Sequence, residues 1–410
     1  MEFGLIGEKL GHSFSKEIHT KYFGLKYDLK ELKHDEVATF LEKRDFKAIN
    51  VTIPYKQTVI PHLDFVSEVA RKIGAVNVIV NNGGKLCGYN TDYLGLKGMI
   101  EKSGVCLLGK NVLILGDGAT SKTALAVAVD LGCKRALRVS RKQTEGTVNY
   151  DEAGRMTDTQ VIINTTPVGM HPNIENQIID ISSYPKLEGV FDVIYNPICS
   201  ALVLQAKKRG ITACGGLYML VGQAVFAAEK FKDIKIETEK IDSIYNEILN
   251  DKQNIVLIGM PSSGKTTVGK FLAEELGREF IDTDDIIKSN YGDITAIFEE
   301  KGESGFRVIE SEVIKEVASL QGKVIATGGG AVLNGKNVDL LKLNGKIYFL
   351  DRPLESLVAT DDRPLSRDKE MLKKRYNERY GIYCDCCDKQ ITVNTTPGDA
   401  VNSIKEDFLK

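Results

Sequence analysis

The 410-residue sequence carries almost no excess of charge, with 54 Lys and Arg against 56 Asp and Glu. So close a balance excludes the broad basic face that nucleic acid or an anionic membrane surface selects. No apolar run approaches the roughly 20 residues that cross a bilayer, and Met1-Glu2-Phe3-Gly4 lacks the basic start and apolar core of a secretory signal. The eight cysteines are scattered, at positions such as Cys87, Cys133 and Cys214, a pattern that suits a reducing cytoplasm. One cluster, Cys384-Asp385-Cys386-Cys387, contains C-x-x-C spacing. It has no second pair, and the last histidine is His171, so neither metal nor redox work is expected there. These absences leave a cytoplasmic chain, long enough for several cores. It is expected to act on small molecules, with no nucleic acid, membrane or obligate protein partner.

What is present centres on Gly259-Met260-Pro261-Ser262-Ser263-Gly264-Lys265-Thr266-Thr267, which fits G-x-x-x-x-G-K-[ST]. Ile255 to Ile258 before it reads as a buried parallel strand. Val268, Phe271, Leu272 and Leu276 after it recur at helical spacing up to Gly277. A glycine turn between strand and helix gathers backbone N–H groups around phosphate oxygens, Lys265 adds positive charge and Thr266 a hydroxyl for Mg2+. Such loops follow the first strand of their domain, so the residues before about 250 belong to something else.

The earlier part opens with a strand at Phe3–Gly7 and a helix near Ile18. Ser13 and Ser15 at the helix entrance read either as caps or as paired hydroxyls for a substrate carboxylate. Ala48 to Lys56 is a strand ended by proline, placing Thr52 and Lys56 where open α/β sheets hold ligands. Gly74-Ala75-Val76-Asn77 and Gly88-Tyr89-Asn90-Thr91-Asp92 are polar turns. A strand at Asn111–Leu115, the turn Gly116-Asp117-Gly118-Ala119-Thr120-Ser121 and a helix from Thr123 to Leu131 outline a dinucleotide site without the third glycine of G-x-G-x-x-G. The next strand, Ala136–Val139, ends in Ser140-Arg141-Lys142. Basic residues there suit the extra phosphate of NADP, whereas NAD would call for an acid. Buried strands follow at 161–166 and 190–194, then a helix carrying Gln223 and an amphipathic helix from Glu237 to Asn250.

Six blocks of this half together resemble shikimate dehydrogenase: His12-Ser-Phe-Ser15, Asn50 to Lys56, Gly88 to Asp92, Asn164 to Met170, Asp192 to Pro197 and Gly216 to Gln223. The resemblance implies that Ser13, Ser15, Thr52, Lys56, Asn77, Asp92, Tyr195 and Gln223 bind 3-dehydroshikimate and shikimate, with Lys56 and Asp92 the catalytic pair. It assigns NADPH/NADP to Gly116, Gly118, Ala119, Thr120, Ser121, Ser140, Arg141, Lys142 and Gly216. Reducing a ring ketone takes a hydride on carbon and a proton on oxygen. Lys56 can supply or stabilise the latter while Asp92 directs its ammonium. Asp117 and Lys16 depart from the family pattern, at the glycine turn and at the first helix's entry.

The second half resembles shikimate kinase from Asn254 onward, on the phosphate loop, Asp282-Thr283-Asp284, Gly302 to Arg307, Thr327 to Gly330, Arg363-Pro-Leu365 and Arg379 to Tyr383. The resemblance places ATP on Gly259, Ser262, Ser263, Gly264, Lys265, Thr266, Thr267 and Arg363, and Mg2+ on Thr266 and, through water, Asp282. Asp284 would hold the attacking hydroxyl, with Lys265 and Arg363 as the other catalytic groups. Arg307 and Arg379 would clamp the substrate carboxylate beside Gly328, Gly329 and Gly330. The polar stretch 360–374 is expected as a lid, Arg375 as a solvated residue, and Gly381 as loosening a turn.

The expected fold is α/β throughout. An α/β substrate domain (1–92 and 226–250) and a Rossmann NADP domain (93–225) precede a short linker (251–253) and a P-loop domain of the nucleoside-monophosphate-kinase type (254–410). The implied activity is reduction of 3-dehydroshikimate followed by phosphorylation of shikimate. The alternatives are an NAD-dependent quinate/shikimate dehydrogenase in the first half, against which Arg141 speaks, or a half that only senses ligand. Against the latter, Lys56, Asp92, Lys265, Asp284 and Arg307 are all present.

Overall fold

The computed structural model describes residues 1–11, 14–142, 144–357, 369–393 and 396–409. By internal packing the chain forms two units, Met1–Met170 with Asn176–Tyr195 and Leu202–Glu247, and Ile248–Lys410 with His171–Glu175 and Asn196–Ala201. The short connection expected at 251–253 begins as the last turn of the helix Glu239–Lys252. Among the described residues no helix is long and apolar enough to cross a membrane.

The first unit holds two sheets. One contains β1 (Phe3–Gly7), β2 (Tyr27–Glu31), β3 (Ala48–Val51), β4 (Phe65–Val66), β5 (Val78–Asn82) and β6 (Lys85–Tyr89) in the order β2-β1-β3-β5-β6-β4. Strands β1 to β3 run parallel, and β5 and β6 return as an antiparallel pair. The other contains β7 (Asn111–Leu115), β8 (Arg135–Val139), β9 (Thr147–Val148), β10 (Val161–Asn164), β11 (Gly189–Asp192) and β12 (Thr212–Cys214). Its order, β12-β11-β10-β7-β8-β9, is the doubly wound arrangement, whose ligands gather where the order reverses beyond the strand ends between β7 and β10. The unbroken apolar run of β7 follows from burial on both faces. Val112 and Ile114 join one core, Leu113 and Leu115 the other.

Two helices tie the first unit together, Asp92–Ser103 and Leu217–Lys232. They cross at glycines: a Cβ on Gly95 would lie 2.5 Å from the Met219 carbonyl oxygen and 2.9 Å from the Gln223 nitrogen. This approach sets Asp92, at the start of one helix, against Gln223 on the other. Beside the first sheet His19 is fully buried, 4.6 Å from the Tyr27 ring and 5.4 Å from Phe231. Burial holds its pKa down to about 3, so it packs as a neutral ring.

The second unit has one parallel sheet, β14-β15-β13-β16-β17, of β13 (Asn254–Ile258), β14 (Phe280–Asp282), β15 (Val324–Ala326), β16 (Gly345–Asp351) and β17 (Lys389–Thr392). Ile255 and Leu257 point into one core, Val256 and Ile258 into the other. The helix Lys265–Leu276 packs Val268, Leu272 and Ala273 on the sheet and stops at Gly277, whose φ is 63°. One expectation is corrected here, and another falls mostly outside the described residues. Residues 360–368 of the expected lid lie outside the described residues, and 369–374 start the helix Lys369–Cys386. That helix runs straight through Gly381, so no turn exists for Gly381 to loosen.

Gly95→Ala forces two backbones apart, because the obstructing atoms belong to the main chain. It should cost about 1–3 kcal/mol, read as a lower urea midpoint for the first unit's unfolding with the second unit's transition unmoved.

Candidate active sites

In the first unit a cleft of about 530 Å³ is lined by Ser15, Thr52, Lys56, Asn77, Asp92, Tyr195 and Gln223. The fold thus gathers every described residue expected at the substrate site; Ser13 and His12 lie outside the described residues. Ser15 is the first residue of the helix Ser15–Phe23, which has no side-chain cap and accommodates Lys16 in its first turn. Lys56 Nζ donates to Asp92 Oδ2 at 2.6 Å, with the two side chains only 13% and 10% exposed. Asn77 Nδ2 donates to Asp92 Oδ1 at 3.0 Å, and Asn77 Oδ1 accepts from the Thr91 N–H at 2.7 Å. The amide therefore fixes the carboxylate, and the carboxylate aims the ammonium. Gln223 Nε2 donates to the Leu220 carbonyl at 2.9 Å. The Tyr195 ring lies 5.2 Å from Phe14, and burial raises its phenol pKa.

An adjoining cleft of about 990 Å³ lies at the reversal of strand order, between the turn Gly116–Thr120, the β8 end at Ser140 and Arg141, and Thr165–Val168. Gly116 has φ 119°, and a Cβ there would lie 2.6 Å from Thr165 Oγ1. Nothing lies within 4 Å of a Cβ on Gly118. The helix begins at Ala119, four residues before the position read from the sequence, so its free N–H groups open on this cleft. Thus the chain supplies a pared-down turn, a helix N-terminus and a guanidinium, which fits a dinucleotide diphosphate. Three of the expected contacts do not line this cleft. Ser121 is buried and its Oγ donates to the Gly118 carbonyl at 2.7 Å, bracing the turn. Lys142 is exposed outside the lining, while Gly216 lines the substrate cleft, packed against the Val193 backbone.

In the second unit a cleft of about 460 Å³ is lined by Ser262, Gly264, Lys265, Thr266, Thr267, Asp282, Asp284, Arg307, Gly328, Gly329, Gly330 and Arg379. Lys265 Nζ donates to the carbonyls of Gly259 and Met260 at 3.0 and 2.9 Å. Thr266 Oγ1 donates to Asp282 Oδ2 at 2.8 Å, bringing both expected Mg2+ residues together. A turn of N–H groups with a lysine and a hydroxyl–carboxylate pair fits a magnesium triphosphate. Gly259 and Ser263 do not line the cleft. A Cβ at Gly259 would lie 2.8 Å from the Leu350 carbonyl oxygen, and Ser263 is fully buried, so both shape the loop from behind. Arg363 lies outside the described residues.

Arg379 Nη1 donates to the Gly329 carbonyl at 3.2 Å; Arg307 donates to Glu310 at 2.7 Å and to Glu303 at 3.1 Å. Sequence reasoning missed Glu310, which is 1% exposed, and it placed Arg375 in solvent although Arg375 lines the cleft half-buried. Burial drives the Glu310 pKa up; the Arg307 guanidinium opposes this and the Asp284 carboxylate adds to it. A signal existed: Glu310 sits one turn from Arg307 among Phe306, Ile309, Val313 and Ile314, all buried on the same helix. At the C-x-x-C cluster, burial pushes the Cys386 thiol up to about 11, the opposite of a reactive thiolate.

Comparison with known proteins bears on these clefts. Residues 5–79 match the family model described as shikimate dehydrogenase substrate binding domain. The chain is 38% identical over 265 residues to the NADP(+) shikimate dehydrogenase of Clostridium perfringens, covering 60% of this chain and 97% of that protein. It belongs to the shikimate dehydrogenase family. Among solved structures, shikimate dehydrogenase 1 from Peptoclostridium difficile has 36% identity and a TM-score of 0.56, covering 60% of this chain and 98% of that one. A chorismate mutase/shikimate 5-dehydrogenase fusion from Clostridium acetobutylicum has 34% identity and a TM-score of 0.57, covering 60% and 96%. Beyond the shikimate dehydrogenase half, residues 261–408 match the family model for shikimate kinase.

Glu310 yields a pH test on the second unit. Its folded-state pKa lies above the usual 4.5, so its stabilising contribution is complete below that value and is lost as pH rises through the folded pKa. Glu310→Gln removes the titration and keeps the shape. Relative to the wild type, the variant should gain stability in urea as pH rises from 4.5 to 7.5; a difference flat with pH would contradict the assignment.

Proposed function

We propose that the chain is a bifunctional enzyme of two consecutive steps. It reduces 3-dehydroshikimate to shikimate with NADPH, then phosphorylates the 3-hydroxyl of shikimate with MgATP. The family membership and the kinase match support this reading. The observation that carries it is the pairing, in one chain, of an oriented Lys56–Asp92 ion pair beside a dinucleotide-shaped cleft with a phosphate loop facing Asp284. The domain limits 1–92 with 226–250, 93–225 and 254–410, and the residue roles below, are part of the proposal. So are a cytoplasmic location and independence from nucleic acid, membranes and a fixed protein partner.

In the first half NADPH, when bound, supplies the hydride. Lys56 meets the ketone oxygen as negative charge builds there and delivers or shares a proton. Asp92, held by Asn77, keeps the ammonium pointed at that oxygen. Ser15, Thr52 and Gln223 hold the ring's polar groups, and Arg141 takes the cofactor's extra phosphate.

In the second half MgATP, when bound, supplies the phosphoryl group. Asp284 orients the attacking hydroxyl and accepts its proton, and Lys265 leaves the loop carbonyls for the charge of the phosphates. Arg307 and Arg379 hold the acid's carboxylate. The alcohol oxygen made in the first reaction is the nucleophile of the second, which gives the fusion its chemical logic.

The test supplies 3-dehydroshikimate, NADPH and MgATP together and identifies products by mass. Wild type should give shikimate 3-phosphate. Lys56→Met should slow the reduction about 10²–10⁴-fold and spare phosphorylation of added shikimate. Lys265→Met should stop at shikimate, with phosphorylation lowered about 10²–10³-fold. Loss of both activities in either variant counts against the division of labour.

A further inference from the structure

In a doubly wound dinucleotide site the adenosine ribose rests near the end of the second strand. A carboxylate there accepts from a 2′-hydroxyl, while a guanidinium takes a 2′-phosphate. In this chain that strand is β8, and it ends in Ser140-Arg141 with no acid. A carboxylate reaches the same cleft from the glycine turn instead: Asp117 and Arg141 both line it.

Asp117 is held in place from two sides. Its Oδ1 accepts from Arg138 Nη1 at 2.5 Å and its Oδ2 from Thr144 Oγ1 at 2.9 Å. The Asp117 side chain keeps 29% of its surface exposed, whereas Arg138 keeps 13%. Arg138 is thus spent on Asp117 rather than offered to a ligand. Each carboxylate oxygen retains a lone pair for a further hydroxyl. The three side chains sum to one positive charge where Arg138 and Arg141 alone would sum to two.

We infer that Asp117 is a specificity-determining residue for the cofactor. It provides the 2′-hydroxyl acceptor from the glycine turn, beside Arg141, so that the cleft takes NAD as well as NADP. The inference rests on reading this half as a nicotinamide-dependent dehydrogenase. A 2′-phosphate gains Arg141 but meets a fixed negative charge; a bare ribose forgoes Arg141 but gains a charge-assisted hydrogen bond. The two cofactors are thereby brought closer in affinity than the basic strand end alone dictates.

The experiment is calorimetric titration of NADP+ and of NAD+ into the full chain, as wild type, Asp117→Asn and Asp117→Ala. Each variant should bind NADP+ more tightly and NAD+ more weakly. The ratio of the two dissociation constants should move toward NADP+ by roughly fivefold, the scale of one partly exposed charge pair. Because both constants are read on the same protein, a loss of folded material leaves the ratio intact, and the Ala variant covers residual hydrogen bonding by Asn. An unchanged ratio in both variants, or a shift toward NAD+, overturns the inference while leaving the dehydrogenase reading in place. Wild type that binds neither dinucleotide overturns both.

Discussion

Unpaired N–H groups that converge are ready-made donors for a phosphate, and a parallel strand running through a glycine turn into a helix produces that convergence. This chain builds the unit twice, at β7 into Ala119–Asp130 and at β13 into Lys265–Leu276. Both strands are central in their sheets and buried on both faces. The rigid sheet below is what lets a turn with little side chain keep its shape, and the rest of each cleft is arranged around it.

The two clefts manage charge differently. In the first, Lys56 and Asp92 neutralise each other at 2.6 Å, and a neutral amide sets their direction. A nearly buried ion pair is tolerable because its remaining lone pairs are satisfied. In the second, Arg307 and Arg379 share the pocket with Asp284 and Glu310, so the charges of the cleft are already partly balanced. Such preorganisation means that little has to reorient when charge develops. The same logic reaches Asp117, a departure from the family pattern that its ion pair with Arg138 fixes in the wall of the adjoining cleft.

Much of this was legible in the chain. The apolar runs at 111–115 and 255–258, the glycine turns and the helix stop at Gly277 gave the strand–turn–helix units in their right places, because burial on both faces leaves a continuous apolar signature. Most of the candidate site was legible too, carried by blocks whose polar residues fall at strand ends. Failures had local causes. Ser121 and Ser263 lie inside the glycine turns yet are buried away from the clefts, and the Ser121 hydroxyl braces its turn through the Gly118 carbonyl. Gly381 suggests a turn in the sequence, but its helix is held by packing of Leu372 and Tyr383 on the core, which overrides a single glycine. Glu310 escaped because a carboxylate in a helix is ordinarily solvent-facing.

Sequence alone determined the strand–turn–helix units, the residue types at the strand ends and the order of the two halves, since these depend on periodicity and on backbone freedom at a few glycines. Only the tertiary structure decided which side chains share a cleft. Asn77 meets Asp92 across a hairpin, Arg138 meets Asp117 between neighbouring strands, and Gly95 meets Gly222 across two helices. Each of these contacts joins residues far apart in the chain, and their distances follow from how sheets and helices pack, a quantity that no local pattern encodes.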